Sequence, residues 1–132
     1  MITYKQTENG LLIKMELKIY KSNTNYDRKK THKQYTSYTV SIPKALVNYI
    51  SEESNQLYFY HKNNNLYLTG HNPGNLFDVY ITTYYNITEN TINLNIPIKL
   101  MNDFYSKVII TINPTKKDFF TNKFGEIKVT FE

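Results

Sequence analysis

Basic side chains crowd one stretch of this 132-residue chain, residues 18–44. They face a single acid there, Asp27, which leaves a local charge of +6, whereas the whole chain carries +5. Such a concentration of positive charge attracts polyanions, and nucleic acid is the most common of them. The basic residues of the stretch are Lys18, Lys21, Arg28, Lys29, Lys30, Lys33 and Lys44.

The densest run, residues 28–33, has two interpretations. It is either a phosphate-binding hairpin or a solvated hairpin tip that only keeps the protein soluble. If six of the cations met phosphates, affinity would fall about a thousandfold between about 50 and 200 mM salt. Six tyrosines suggest a further interpretation, in which single-stranded bases stack on their rings. The alternative is ordinary packing of these tyrosines at the edge of the core. These are Tyr35, Tyr38, Tyr58, Tyr60, Tyr84 and Tyr85.

Catalytic and metal-binding patterns are not found in the sequence. Its three histidines, His32, His61 and His71, lack close ligand spacing, and the chain has no cysteine to support them. Its four glycines do not form a phosphate-binding loop, and no nucleophile motif occurs. We therefore expect no enzymatic activity, no cofactor and no metal site.

Length and composition indicate a single domain, residues 1–132. Thirteen Tyr and seven Phe without Trp favour strands over long helices. The sequence has no apolar stretch of about 20 residues, the length that a membrane span needs, and no signal-peptide pattern follows Met1. We expect a cytoplasmic protein that does not enter a membrane.

The elements that must position the basic residues show an internal repeat. Residues 40–50 and 94–104 share a strand that ends in Ile-Pro and is followed by apolar residues at helical spacing, at an offset of 54 positions. Proline suits the first turn of a helix because its fixed φ fits there and its missing N–H costs nothing. Turn-forming residues at 70–75 separate a first repeat unit, 11–70, from a second, 76–132.

Each unit is predicted to contain two strands, a short helix and two more strands. A polar hairpin connection is predicted over 21–33. The helices are predicted from Pro43 to near Ile50 and over 98–105. The strands are predicted near 12–20, 34–42, 57–61, 66–69, 76–85, 91–96, 107–112 and 126–131.

Residues 41–70 resemble the AbrB/MazE/SpoVT group of swapped-hairpin DNA-binding domains. The resemblance rests on Ile42, Pro43, Lys44 and Leu46 and on the two strands that follow them. The second unit keeps Ile96, Pro97, Leu100 and the terminal hairpin, but not the spacing between helix and last strand. The resemblance implies a mainly β fold with two short helices, in which the two units interleave into one swapped-hairpin barrel.

The resemblance also implies a DNA-binding transcriptional regulator, and the composition suggests a plasmid or phage source. The residues it places against duplex DNA are Lys21, Arg28, Lys29, Lys30, Lys33 and Lys44. Lysine favours phosphate contacts, whereas arginine can form two hydrogen bonds to one guanine. Arg28 is the single arginine of the sequence. The equivalent connection of the second unit, residues 82–90, has no basic residue, so the chain either forms a homodimer or binds a protein partner through its second repeat. An antitoxin-like or inhibitory protein-interaction module and a single-stranded nucleic-acid binder are the alternative functions.

Overall fold

The computed structural model describes residues 2–7, 10–28, 31–46, 56–74, 78–86 and 88–132. Side chains are described at position 3 and over 11–22, 36–46, 56–74, 78–84 and 88–132. The fold is mainly β, as the sequence predicts. The strands are β1 (Ile2–Thr7), β2 (Gly10–Arg28), β3 (Thr31–Pro43), β4 (Gln56–Lys62), β5 (Asn65–Thr69), β6 (Val79–Asn86), β7 (Thr91–Ile96), β8 (Lys107–Lys117) and β9 (Phe124–Phe131).

Eight of these strands form a closed antiparallel barrel in the order β2-β3-β7-β6-β4-β5-β9-β8, and β2 pairs with β8 to close the ring. Two strands, β2 and β6, change their pairing partner along their length. β2 pairs with β8 up to Lys18 and with β3 from Ile19 onward, while β6 passes from β4 to β7 after Thr83. Closure gives every barrel strand a neighbour on both sides, which protects the edges of the sheet. β1 lies outside the ring and pairs with the start of β2.

The barrel interior is a packed apolar core. Along β7 every second residue is buried, as a strand with one face in the core requires, and Ile92 pairs there with Ile42 of β3. A cavity of about 10 Å³ between Phe59, Leu68 and their neighbours is the size of one water at most. The interior therefore has no room for a ligand at this point.

The hairpin of β2 and β3 extends beyond the barrel as a two-stranded ribbon. β3 leaves β7 at the pair Tyr38–Ile96, and seven further pairs, from Ser22–Ser37 to Arg28–Thr31, join β2 and β3. No other described strand pairs with these residues. We call residues 22–37 the arm. The polar connection predicted over 21–33 is thus wrong at 21–28 and 31–33, where the backbone pairs in the β2–β3 ladder, and its residues 29–30 lie outside the described part of the chain.

The helical content is smaller than predicted. Residues 44–46 are helical, and the rest of the first predicted helix lies outside the described residues. The second predicted helix is wrong beyond a 3-10 turn, Ile98–Leu100, because Met101 is extended and the Asn102 side chain accepts a hydrogen bond from the N–H of Phe104 (3.1 Å). No helix among the described residues is long and apolar enough to cross a membrane.

Candidate nucleic-acid interface

The base of the arm is held by a cluster of three side chains. Lys21 and Tyr38 are opposite each other in the β2–β3 ladder. The Tyr38 hydroxyl donates a hydrogen bond of 2.6 Å to Oδ1 of Asp103, and Nζ of Lys21 lies 3.6 Å from the same oxygen. The N–H of Ile19 also bonds to the carbonyl of Ser106 (3.0 Å). The segment that follows the 3-10 turn is therefore fastened to the arm at its base.

Electrostatics keep this cluster intact at neutral pH. The hydrogen bond from Tyr38 and the charge of Lys21 lower the pKa of Asp103, and the same hydrogen bond raises the pKa of Tyr38. A carboxyl group with a lowered pKa stabilises the fold above its ordinary titration range, and this contribution is lost as pH falls through the lowered value. Asp103 is well exposed, so solvent screens the effect and the cluster acts mainly by orienting the arm.

Three of the predicted site residues lie on the β2–β3 hairpin. Lys21 is at the base of the arm, Arg28 pairs with Thr31 next to the tip, and Lys33 pairs with Tyr26. The side chains of Arg28 and Lys33, and the whole of residues 29–30, lie outside the described part of the structure. The backbone thus brings these predicted residues onto one ribbon.

Lys44 lies apart from the arm. It follows Pro43, whose partner Thr91 is at the start of β7, and its N–H donates to the carbonyl of Asn90 (2.9 Å). Tyr38, at the arm base, is at the other end of the β3–β7 pairing, about 17 Å away along the strand. A ligand must span β3 to meet both Lys44 and the arm.

Three of the tyrosines suggested for base stacking are buried. Tyr38, Tyr58 and Tyr60 are 9%, 2% and 1% exposed, so their rings cannot take up a base without rearrangement. Tyr84 is half-buried, and the side chains of Tyr35 and Tyr85 lie outside the described residues. Burial of Tyr58 and Tyr60 is unexpected, since Leu57 and Phe59 of the same strand fill the barrel core.

A turn between β8 and β9 covers one of these tyrosines, Tyr60. Asp118 at the end of β8 is buried, and its Oδ1 accepts hydrogen bonds from the Thr69 hydroxyl (3.2 Å) and from the N–H groups of Phe120 (2.8 Å) and Thr121 (2.9 Å). Phe120 packs edge-to-face on Tyr60 with ring centroids 4.9 Å apart. An Asp that can cap a turn is recognisable from the sequence, but the sequence does not indicate which strand the turn covers.

Asp118 is predicted to be the main stabiliser of this turn. We expect Asp118→Ala to lower the free energy of unfolding by about 1–3 kcal/mol, because three donors lose a buried acceptor. Asp118→Asn keeps an acceptor oxygen and should lose clearly less. Urea unfolding of the two variants measures both, and equal losses would show that the carboxylate charge, not the acceptor, holds the turn.

Metal ligands are not grouped in the described part of the chain, where no three His, Cys, Asp or Glu residues could hold an ion. The two histidines with described side chains contact aromatic rings. His61 lies edge-on to Tyr80 at 5.8 Å, and His71 is stacked on Phe120 at 6.5 Å.

The fold and the site together define a class: a closed eight-stranded antiparallel barrel with a packed interior and a polar two-stranded arm. No protein-family model, no curated protein and no solved structure matches the chain. Its function must therefore be argued from its own geometry.

Proposed function

We propose that this protein is a DNA-binding transcriptional regulator that places the arm on duplex DNA. The observation that carries the proposal is the seven-pair ribbon beyond the barrel, in the same residues that hold the densest basic run of the sequence. The major groove of B-DNA is about 12 Å wide and admits a two-stranded ribbon. Lys29, Lys30 and Lys33 would bind phosphates, and Arg28 would read a guanine.

We further propose that the barrel is of the AbrB-like swapped-hairpin type, built from the two repeat units. The pairing pattern supports this, because exchanging the units leaves it unchanged: β3 pairs with β7 and β5 with β9, while β2–β8 and β4–β6 exchange with each other. Val40 also pairs with Leu94, its counterpart at the offset of 54. Each unit alone would leave its strands without half of their neighbours.

The two units differ in the length and charge of their first hairpin. The β6–β7 hairpin has only three pairs, from Tyr84–Leu94 to Asn86–Ile92, and the residues that connect its strands include no lysine or arginine. One chain thus offers one basic arm. We propose that two copies bind together, since a two-fold symmetric pair would present two arms to a two-fold symmetric DNA site. A cytoplasmic location follows from this function.

The first test is binding of the purified protein to a fluorescent duplex that carries its own upstream region. We expect binding that resists scrambled competitor duplex and weakens steeply between about 50 and 200 mM salt. If the protein binds neither the upstream nor the scrambled duplex at low salt, the proposal fails. Equal binding to both duplexes would support DNA binding but contradict the role of a regulator, which needs sequence selectivity.

Replacing Asp103 is expected to strengthen duplex binding. Its carboxylate neutralises Lys21 at the base of the arm. We expect Asp103→Asn to raise duplex affinity by about twofold to fivefold, because a phosphate no longer competes with this ion pair. Fluorescence anisotropy at low salt measures the change. An unaltered affinity would show that Lys21 does not contact DNA, whereas a weaker one would show that orienting the arm through Tyr38 matters more than freeing Lys21.

A protein-interaction module is the second candidate, and it would use the second unit. Phe104 is 90% exposed and Ile98 65% exposed, both in the segment after β7. Large apolar side chains at such exposure are common in protein contacts. A pull-down from the source cells tests this candidate. A stoichiometric partner that is lost with Phe104→Ala would support it, and capture that this variant leaves unaltered would contradict it.

A further inference from the structure

A second positively charged surface lies on the outer face of the sheet formed by β4, β5, β9 and β8. We propose that this outer face binds single-stranded nucleic acid, with bases on Phe119 and Phe124 and phosphates on the surrounding lysines. The basic residues on it and in its turn are Lys62, Lys116, Lys117, Lys123 and Lys128.

Strand alternation places Phe124 and Lys128 on one face, and Lys117, the partner of Phe124, lies beside them. Along β9, Ile127 and Val129 are buried in the core, so Phe124 and Lys128 point outward. The neighbours directly opposite continue the same face: Lys128 pairs with Tyr67, and Tyr67 with Tyr60. The outer face is therefore a continuous strip across three strands.

Two phenylalanines on the outer face combine exposure with a nearby cation. Phe119 and Phe124 are each 54% exposed. Nζ of Lys62 lies 4.2 Å from the ring centroid of Phe119, and Nζ of Lys117 lies 5.2 Å from that of Phe124. Single-strand binders use this combination, because a base stacks on the ring while the neighbouring cation meets the phosphate.

The ring of Phe119 rests on a rigid base. Phe119 packs edge-to-face on Phe120 (5.0 Å), which packs in turn on the buried ring of Tyr60 (4.9 Å). The Asp118 hydrogen bonds described above fix the same turn. A ring held in place before binding loses little conformational freedom when a base stacks on it.

The charge of the outer face favours nucleic acid over a protein partner. In the β8–β9 turn and the adjoining half of this face, the described residues include five lysines against Glu126, since the second acid of the turn, Asp118, is buried and bonded; at the far end of the face Lys107 is paired with Glu132. Lysine is depleted in protein interfaces, whereas a strip of cations with aromatic rings is typical of single-strand sites. A duplex hides its bases within the stack, so exposed rings offer it little.

The outer face and the arm are at different ends of the barrel. Lys107 of β8 lies opposite Lys18, beside the arm base, whereas Ile112 lies opposite Ile13, and the β8–β9 turn comes after that point. The path along β8 from the arm base to this turn is about 30 Å. The two surfaces can therefore be altered separately.

The test is fluorescence anisotropy with a labelled oligothymidylate of about 12 nucleotides at low salt. We expect Phe119→Ala/Phe124→Ala to weaken binding by about fivefold or more, and Lys62→Ala/Lys117→Ala to weaken it and flatten its salt dependence. Phe104→Ala and Lys99→Ala are matched exposed controls away from the outer face and should bind as the wild type does. Thermal unfolding confirms that each variant is folded.

Three results would overturn the proposal. They are absence of oligothymidylate binding by the wild type at low salt, unaltered binding by the phenylalanine variant, and loss of binding on removal of the arm charges alone. If the outer face captures a protein but the wild type does not bind oligothymidylate, the outer face is a protein contact and the proposal is overturned. Failure of duplex binding bears on the arm alone, so the two proposals are judged separately.

Discussion

Replacing Arg28, Lys29, Lys30 and Lys33 together by alanine is expected to weaken duplex binding by about a hundredfold or more at about 50 mM salt. Each phosphate contact releases a counterion from DNA, and this release drives most of the affinity. The plot of log affinity against log salt should become less steep by about 3 for the three lost phosphate contacts. Anisotropy titrations across several salt concentrations measure both quantities.

The four residues should not be equivalent. Lys29→Ala/Lys30→Ala is expected to weaken binding to all sequences alike, whereas Arg28→Ala should reduce discrimination between sequences, by about 1–3 kcal/mol for a guanine contact. The matched control removes the same charge from the other end of the barrel, at Lys116, Lys117, Lys123 and Lys128. If that control loses as much duplex affinity, the arm has no special role, and the duplex is bound either through net charge or through the outer face.

Phe59→Ala is expected to cost about 3–5 kcal/mol in the free energy of unfolding. The ring is 2% exposed at the centre of the barrel, beside a cavity of only about 10 Å³, so neighbouring side chains are already closely packed. The loss is a large fraction of the about 5–15 kcal/mol that stabilises a typical domain. Urea or thermal unfolding measures it.

Phe104→Ala is the matched control for that change. The same atoms are removed from a ring that is 90% exposed, so we expect a loss of no more than about 0.5 kcal/mol. Similar losses at Phe59 and Phe104 would mean that the barrel interior does not dominate stability. A large loss at Phe104 alone would show that this ring is covered in solution.

Sequence patterns predicted the elements whose residues carry a periodic apolar face. β7 was predicted at its observed bounds, because its alternation is regular and a proline ends it. Asn63 and Asn64 take positive φ values of 52° and 64° in the predicted turn between β4 and β5. Residues 34–37 of the arm were predicted as strand, but residues 22–28 and 31–33 were not, since a ribbon outside the core has no apolar face to mark it.

The parts that were missed depend on contacts between distant residues. Helical spacing after Pro97 predicted a helix, but the contact between Asp103 and Tyr38 holds that segment against the arm base instead. The outer face depends on Phe120 lying over Tyr60, a contact across sixty positions that no local pattern contains. Local residues thus predicted strands and turns, while tertiary contacts decided which surfaces are covered.

Closure of the ring through β2 and β8 has a consequence for biosynthesis. Ile13 finds its partner in Ile112, near the other end of the chain. A ribosome that has made only the first unit has released strands whose neighbours do not yet exist. Each of these strands has one neighbour within the first unit, but its other edge must stay open, or pair transiently, for several seconds at ordinary elongation rates. We therefore expect the nascent first half to be the stage at which this protein most needs protection from aggregation.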